Sequence, residues 1–267
     1  MSQEIESGRV SPPAAAAFSP PSLSSREYRV QKPIAFNGLL TNHILNSLPG
    51  PEFAHLLQFL EPVSLVTGQN ICKAGEFFDS VYFPESAVIS HLHYLEDGSS
   101  TATTIVGNDG LVGLSGIFAS TPSSCWAEVT IGGNAVRMKS STLRTEFARG
   151  GAVQQLLLAY MRERLAQLSQ RAVCHGRHIM RERLCTWLLM MHDRVADQPL
   201  ALTHEKIAQH LGARRAGVSC ACTALRDLGI IKYKRGQLRI LNRDLLERLA
   251  CECYRSLRLT LPKQLIK

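Results

Sequence analysis

The chain has 267 residues, 45% of them hydrophobic, which is room for about two globular domains of ordinary composition. No run approaches the ~20 apolar residues of a membrane-spanning helix. Glu4 and Glu6 stand where a secretory signal would be basic and then apolar, so a cytoplasmic protein with no membrane partner is expected. The net charge of +8 is divided unevenly. Residues 1–150 carry 9 Lys and Arg against 13 Asp and Glu, while residues 151–267 carry 21 against 9, the footprint of a polyanion binder in the second half.

Residues 1–33, with the run SPPAAAAFSPPSLSS, offer little to bury and read as a disordered tail. A short helix is expected around Asn42–Phe59, carrying Ile44, Leu45, Leu48, Phe53, Leu56, Leu57 and Leu60. Short apolar runs follow: Val81–Phe83, Val88–Leu95, Thr101–Val106, Glu128–Ile131 and Ala135–Met138. Between them stand the turn signals Asp97-Gly98, Gly107-Asn108-Asp109-Gly110 and Gly132-Gly133-Asn134. That rhythm suggests an antiparallel barrel or jelly roll, and residues 34–140 are expected to form a β-roll sensor or effector domain. From Ser141 the pattern turns helical. Leu157, Met161, Leu165, Leu168 and Ala172 recur at helical steps and form one apolar stripe of a long helix. Arg162, Glu163, Arg164, Gln167 and Gln170 are expected on its other faces. Such a stripe either packs on its own domain or zips two copies together; the second reading is preferred, and 141–175 is assigned to dimerisation. A further helix over Arg177–Arg194, with Ile179, Leu184, Trp187, Leu188 and Met191, opens a C-terminal domain spanning 176–267.

Within that domain the segment LTHEKIAQHLGARRAGVSCACTALRDLGIIKYKRGQLRIL, residues 202–241, is the most informative in the chain. Thr203 can cap a short helix that buries Ile207 and Leu211 and ends at Gly212. A second helix opens with Arg214 and Arg215 and turns Val218, Ala221, Leu225 and Leu228 inward. The runs Ile230–Tyr233 and Gln237–Ile240, joined through Arg235-Gly236, read as a hairpin. Helix, glycine turn, basic helix and basic hairpin together make a winged helix-turn-helix, which places one helix in a DNA major groove.

A β-roll, a long helix and a C-terminal winged helix in this order resemble the Crp/Fnr superfamily of bacterial transcription regulators. The resemblance covers roughly residues 38–258. It rests on the helix-turn-helix and on Gly68–Phe83 (GQNICKAGEFFDSVYF), which looks like the family's β-roll signature. It implies a homodimer on a palindromic site of double-stranded DNA, with RNA polymerase as a further partner if the protein activates. On the second helix Ala216, Ser219, Cys220 and Thr223 lie opposite the inward stripe, and Arg215 stands at the groove end. The resemblance puts Arg215, Ala216 and Cys220 where several members place base-reading side chains. Arg215 suits guanine O6 and N7; Ala216 replaces a common glutamate and suits a thymine methyl instead. Arg214, Lys232, Lys234, Arg235 and Arg239 are expected to contact phosphate.

The cyclic-nucleotide members carry a glutamate for the ribose and an arginine for the phosphate. Leu111 and Cys125 stand at about those places here, so the usual cyclic-AMP contacts are missing, and an apolar ligand or none is expected. No cysteine precedes Cys72, so the iron–sulfur arrangement of other members is missing as well. The eight cysteines are Cys72, Cys125, Cys174, Cys185, Cys220, Cys222, Cys251 and Cys253; in a reducing cytosol free thiols are expected, and with no CxxC among them zinc-ribbon spacing is missing. His91 with His93, and Cys174 with His175 and His178, have ligand chemistry. Ordinary structural roles are nevertheless preferred for both groups, and for Cys251 and Cys253, so no metal or cofactor is expected. Cys220 is the redox candidate, because cationic neighbours such as Arg214 and Arg215 favour thiolate chemistry and an oxidised sulfur would repel phosphate. No GxSxG, P-loop or HExxH occurs, and His204-Glu205-Lys206-Ile207-Ala208 lacks the second histidine, so an enzyme is not expected. The expectation is a homodimeric, sequence-specific transcription regulator with an unidentified effector or redox signal. The alternative is a ligand-binding signalling module whose winged helix contacts protein.

Overall fold

Two short helices, α1 (His43–Asn46) and α2 (Gly50–Leu57), open the part of the chain that the computed structural model describes, residues 40–118, 121–195 and 199–258. The tail expected over 1–33 lies outside those residues. The single helix expected over Asn42–Phe59 is thus two. Pro49 disfavours helical backbone at Leu48, and Pro51 then sits in the first turn of α2. Asn42 caps α1 by accepting at Oδ1 from the amides of Ile44 and Leu45, and its side-chain Nδ2 donates to the carbonyls of Pro84 and Gly110, tying the helix to the roll.

The roll follows as β1 (Glu61–Leu65), β2 (Asn70–Cys72), β3 (Ser80–Pro84), β4 (Val88–Tyr94) and β5 (Ser100–Val106), then helix α3 (Leu114–Phe118), β6 (Trp126–Ile131) and β7 (Gly133–Lys139). One sheet has the order β1-β7-β3 and the other β2-β6-β4-β5, each pair antiparallel. Leu65, Ile89, Val106, Val112, Ala127, Val129 and Ala135 are buried together as the core of the roll. Gly68 and Gly75, which flank β2, have φ of 84° and 86°, a backbone that a side chain would strain. The strands β1 and β2 were not among the five runs expected. They are short, and β1 begins Glu61-Pro62, which breaks the apolar signal.

Helix α4 (Ser140–Ala148) ends at a pair of positive-φ glycines, Gly150 and Gly151, and α5 (Gly151–Arg177) runs for 27 residues. The expected stripe divides. Leu157 is buried in its own chain's core with Leu111, Met138 and Tyr160, whereas Leu165 and Leu168 are 63% and 40% exposed. Leu158, beside Leu157, is 48% exposed and completes an outward row with Met161, Leu165, Leu168 and Ala172. Arg164 and Gln167, expected on polar faces, are buried instead. Arg164 donates to Gln167 Oε1 at 2.8 Å, and Gln167 Nε2 donates to the Leu257 carbonyl at 2.7 Å. A buried polar chain of this kind stays affordable only because each member has a partner.

The remaining elements are α6 (Met180–Val195), β8 (Leu200–Ala201), α7 (His204–Leu211), α8 (Arg215–Asp227), β9 (Ile231–Lys234), β10 (Gln237–Ile240), α9 (Arg243–Leu249) and α10 (Cys253–Leu257). The small sheet has the order β8-β10-β9. Ile179, expected inside α6, precedes it and is 58% exposed. A single apolar cluster holds Leu184, Trp187, Leu188 and Met191 of α6, Ile207 and Leu211 of α7, and Val218 and Leu225 of α8; Val88 and Ile105 of the roll belong to it too. Roll and C-terminal region therefore meet in shared core. Asp109, in the turn after β5, pairs with Arg194 of α6, and both side chains are largely buried. Trp187 stacks on His210 with ring centroids 5.1 Å apart.

Two histidines of this joint respond to acid in one direction. Burial, then Arg164 and His93, push His91 down to about 4. Burial, then Arg171 and Lys206, hold His210 well below its usual value. Both are neutral when folded and take up protons near pH 6.5 when unfolded. Their contribution is therefore complete above pH 6.5 and is lost as pH falls toward 4, at up to about 1.4 kcal/mol per pH unit for each histidine. Urea unfolding at pH 7.5, 6 and 5 is expected to show stability level above neutrality and falling below it, with a shallower fall in His210→Gln. Constant stability across that range would refute this account.

Candidate nucleic-acid interface

The sequence of residues 202–241 folds as its local chemistry dictates. Thr203 accepts from the Lys206 amide at 3.1 Å and starts α7. Gly212 ends the helix in left-handed backbone, φ 54° and ψ 50°. Helix α8 then begins at Arg215 and buries Val218, Ala221, Cys222 and Leu225. Leu228, expected inward, is 56% exposed: α8 ends at Asp227, so the helical spacing no longer governs it. Strands β9 and β10 pair in the register Lys234↔Gln237, leaving Arg235 and Gly236 as a two-residue turn. Both have positive φ, 51° and 76°, as a tight hairpin of this twist requires.

The face of α8 opposite its buried stripe carries Arg215, Ala216, Cys220 and Thr223, all exposed, with Arg214 exposed at its start. Ser219 lies on the same face but is half-buried, and its hydroxyl is engaged 2.9 Å from His204 Nδ1. His204 in turn packs against Tyr233 of the wing, ring centroids 4.6 Å apart, and Tyr233 donates to the Leu202 carbonyl at 2.9 Å. Burial and then Arg215 lower the pKa of His204, so it is neutral and can accept from Ser219. His204 thus links helix α8 to the wing. On the wing, Lys232, Lys234, Arg235 and Arg239 are all exposed. Lys232 and Lys234 alternate with Ile231 and Tyr233 along β9, so period-2 geometry alone sets the charges outward.

Elsewhere, Leu111 is only 1% exposed, and both its backbone groups are bonded to the Tyr160 hydroxyl at 3.1 Å. Cys125 stands next to Ser123, and burial pushes its thiol up. Sequence reasoning missed Lys206, which pairs with Glu128 of the roll, and Arg171, which donates to the Ala102 carbonyl at 3.0 Å and the His210 carbonyl at 2.5 Å. Their spacing along the chain carries no sign of these partners. Among the described residues no helix is long and apolar enough to cross a membrane.

A β-roll, a long helix and a winged helix-turn-helix with an outward cationic helix make up the described chain. Residues 182–249 match the Crp-like helix-turn-helix domain. Over 214 residues, 78% of this chain and 96% of the relative, the chain is 26% identical to a CRP-like cAMP-activated global transcriptional regulator of Mycobacterium tuberculosis. Its fold is shared with FixK2 from Bradyrhizobium japonicum, at a TM-score of 0.62 and 23% identity over 72% of this chain and 98% of that one. It is shared also with the c-di-GMP responsive global regulator CLP of Xanthomonas campestris, at a TM-score of 0.57 and 12% identity over 72% and 99%. The chain is thus similar to Crp-like transcription regulators, and residues 182–249 match that family's helix-turn-helix domain.

Proposed function

We propose that the protein acts as a homodimer on a roughly palindromic DNA site, read by α8 and gripped by the β9–β10 wing. The observation that carries this reading is the single exposed face of α8, where Arg215 leads Ala216, Cys220 and Thr223. Arg215 reads a guanine through two parallel hydrogen bonds, and Ala216 meets a thymine methyl. Arg214, Lys232, Lys234, Arg235 and Arg239 hold phosphates and set the register. The dimer seam is the outward row of α5, Leu158, Met161, Leu165, Leu168 and Ala172, which alternates steps of three and four as a coiled-coil seam does. Leu157 supports the seam only from behind, because it is committed to its own core. Two recognition helices related by that seam would enter major grooves about 34 Å apart.

The effector is not a cyclic nucleotide held in the usual way. A buried leucine at 111, with its backbone already satisfied, and a thiol at 125 give a cyclic phosphate no cation. Cys220, exposed on the reading face, is the residue through which an oxidant would weaken DNA binding. If the protein activates, RNA polymerase is its second partner.

Selection and sequencing of DNA fragments bound by the purified protein, beside Arg215→Ala, tests the reading. The wild type is expected to return a palindromic motif. The variant is expected to lose about 1–3 kcal/mol per half-site and to relax one base pair of it. Weak, motif-free binding by both proteins would overturn the assignment of α8.

A further inference from the structure

Four side chains that DNA reading leaves unused converge where α5 ends. Cys174 lies in the last turn of α5 and His178 caps it; Cys251 precedes α10 and Cys253 opens it. The sulfurs of Cys174 and Cys251 are 3.6 Å apart, and Cys253 Sγ is 3.6 Å from His178 Nδ1. All four donor atoms lie within 4.8 Å of one another, with the three cysteines buried and the histidine half-buried.

We propose that Cys174, His178, Cys251 and Cys253 form a closed structural site for one zinc ion, which pins the end of the long helix to the C-terminal helices of the DNA-binding domain. Three thiolates and an imidazole are the donor set that selects zinc. Zinc–sulfur bonds of about 2.3 Å give a tetrahedron with edges of about 3.8 Å, close to both observed separations. An iron–sulfur cluster binds its thiolates on different iron atoms and spreads them further. All four positions come from the protein, so the ion would hold structure and not substrate.

The surroundings suit an ion as well as the donors do. His178 Nε2 faces Glu252 Oε2 at 3.2 Å, a carboxylate–histidine pair that leaves Nδ1 free to ligate. The Thr186 hydroxyl is 3.1 Å from Cys251 Sγ, and Gln170 Nε2 donates to Cys253 Sγ at 3.0 Å. Three thiolates around a dication leave one negative charge, and Arg171 and Arg183 are near enough to Cys174 to feel it, though their guanidiniums donate to backbone carbonyls. Binding displaces one proton from each of the three thiols to solvent, while neutral His178 contributes its lone pair.

The test uses the full-length protein purified anaerobically with a reductant. Elemental analysis is expected to find one zinc per chain. Exchange for Co2+ is expected to give a thiolate-to-cobalt charge-transfer band together with the visible bands of tetrahedral cobalt. Cys253→Ser and Cys174→Ser should lose that spectrum, and Cys185→Ser, a buried cysteine outside the cluster, should keep it. Glu252→Gln leaves every ligand in place and should weaken the ion about 10–100-fold, which keeps the test decisive if the serine variants fail to fold. No zinc and no cobalt band in reduced wild type, an unchanged spectrum in Cys253→Ser, or a Cys174–Cys251 disulfide under the same conditions would each overturn the proposal. These readouts need no DNA, so their outcome is separate from that of the reading of α8.

Discussion

Alanine at Asp109 is expected to lower the unfolding free energy by about 3–5 kcal/mol. Its carboxylate takes the guanidinium of Arg194 at both oxygens and the Gly107 amide at 3.0 Å. The Arg194 side chain is only 5% exposed. Removing the carboxylate leaves that cation buried and unpaired, which costs more than the pair itself contributes. Replacing both partners, as Asp109→Asn with Arg194→Met, should recover most of the loss. Urea unfolding of the wild type, the two single variants and the double variant measures the coupling. Equal, additive losses would show that the pair carries none. Burial alone would push Asp109 up; Arg194 and Arg164 outweigh it and hold its carboxyl below the usual carboxylate range. The pair's contribution is therefore complete above about pH 4 and disappears as pH falls through the lower native value.

The largest effect on function should come from salt. The chain exposes Arg214, Lys232, Lys234, Arg235 and Arg239 at the start of α8 and on the wing. A dimer making 6–10 phosphate contacts would lose about 1,000–100,000-fold in affinity between 50 and 200 mM salt. Lys234→Gln with Arg235→Gln would remove two contacts per protomer and make the log–log slope shallower by about 3–4, leaving sequence preference intact. Fluorescence anisotropy on a fixed operator across a salt series reads both quantities. A flat dependence would point to a wing that contacts protein. The contrast with Arg215→Ala separates gripping from reading, since that change should alter preference more than slope.

Much of the reader was legible because its signals are local. The Thr203 cap, the Gly212 stop, the apolar spacing on α8 and the Arg235-Gly236 turn each act within a few residues. The outward row of α5 was less legible. Leu156, Leu157 and Leu158 run consecutively, and three leucines within one helical turn span both the inward and outward faces. Only packing shows that Leu157 goes in and Leu158 out. Arg164 and Gln167 looked solvated because charge and amide usually are; their buried partners, Ile105 and Leu257, are 59 and 90 residues away in sequence. The cysteine cluster was hidden for the same reason. Neighbours in sequence suggested Cys174 with His175 and His178, yet the cluster keeps Cys174 and His178, leaves out His175 and adds Cys251, just before α10, and Cys253 at its start. A Cys-x3-His at a helix end followed by a Cys-x-Cys was the available signal.

The core shared by Val88 and Ile105 with α6, α7 and α8 also bears on how such regulators exchange parts. A reader cut away at the link after Arg177 would carry bare apolar surface where the roll had been. The carbonyls that Arg171 holds, at Ala102 and His210, would fall on different fragments. The reading head is therefore not an interchangeable cassette. A chimera that transplants it onto another sensor would have to bring the facing strand β5 and Arg171 along, so the boundary at which this protein can be recombined runs through the roll and not through the link after Arg177.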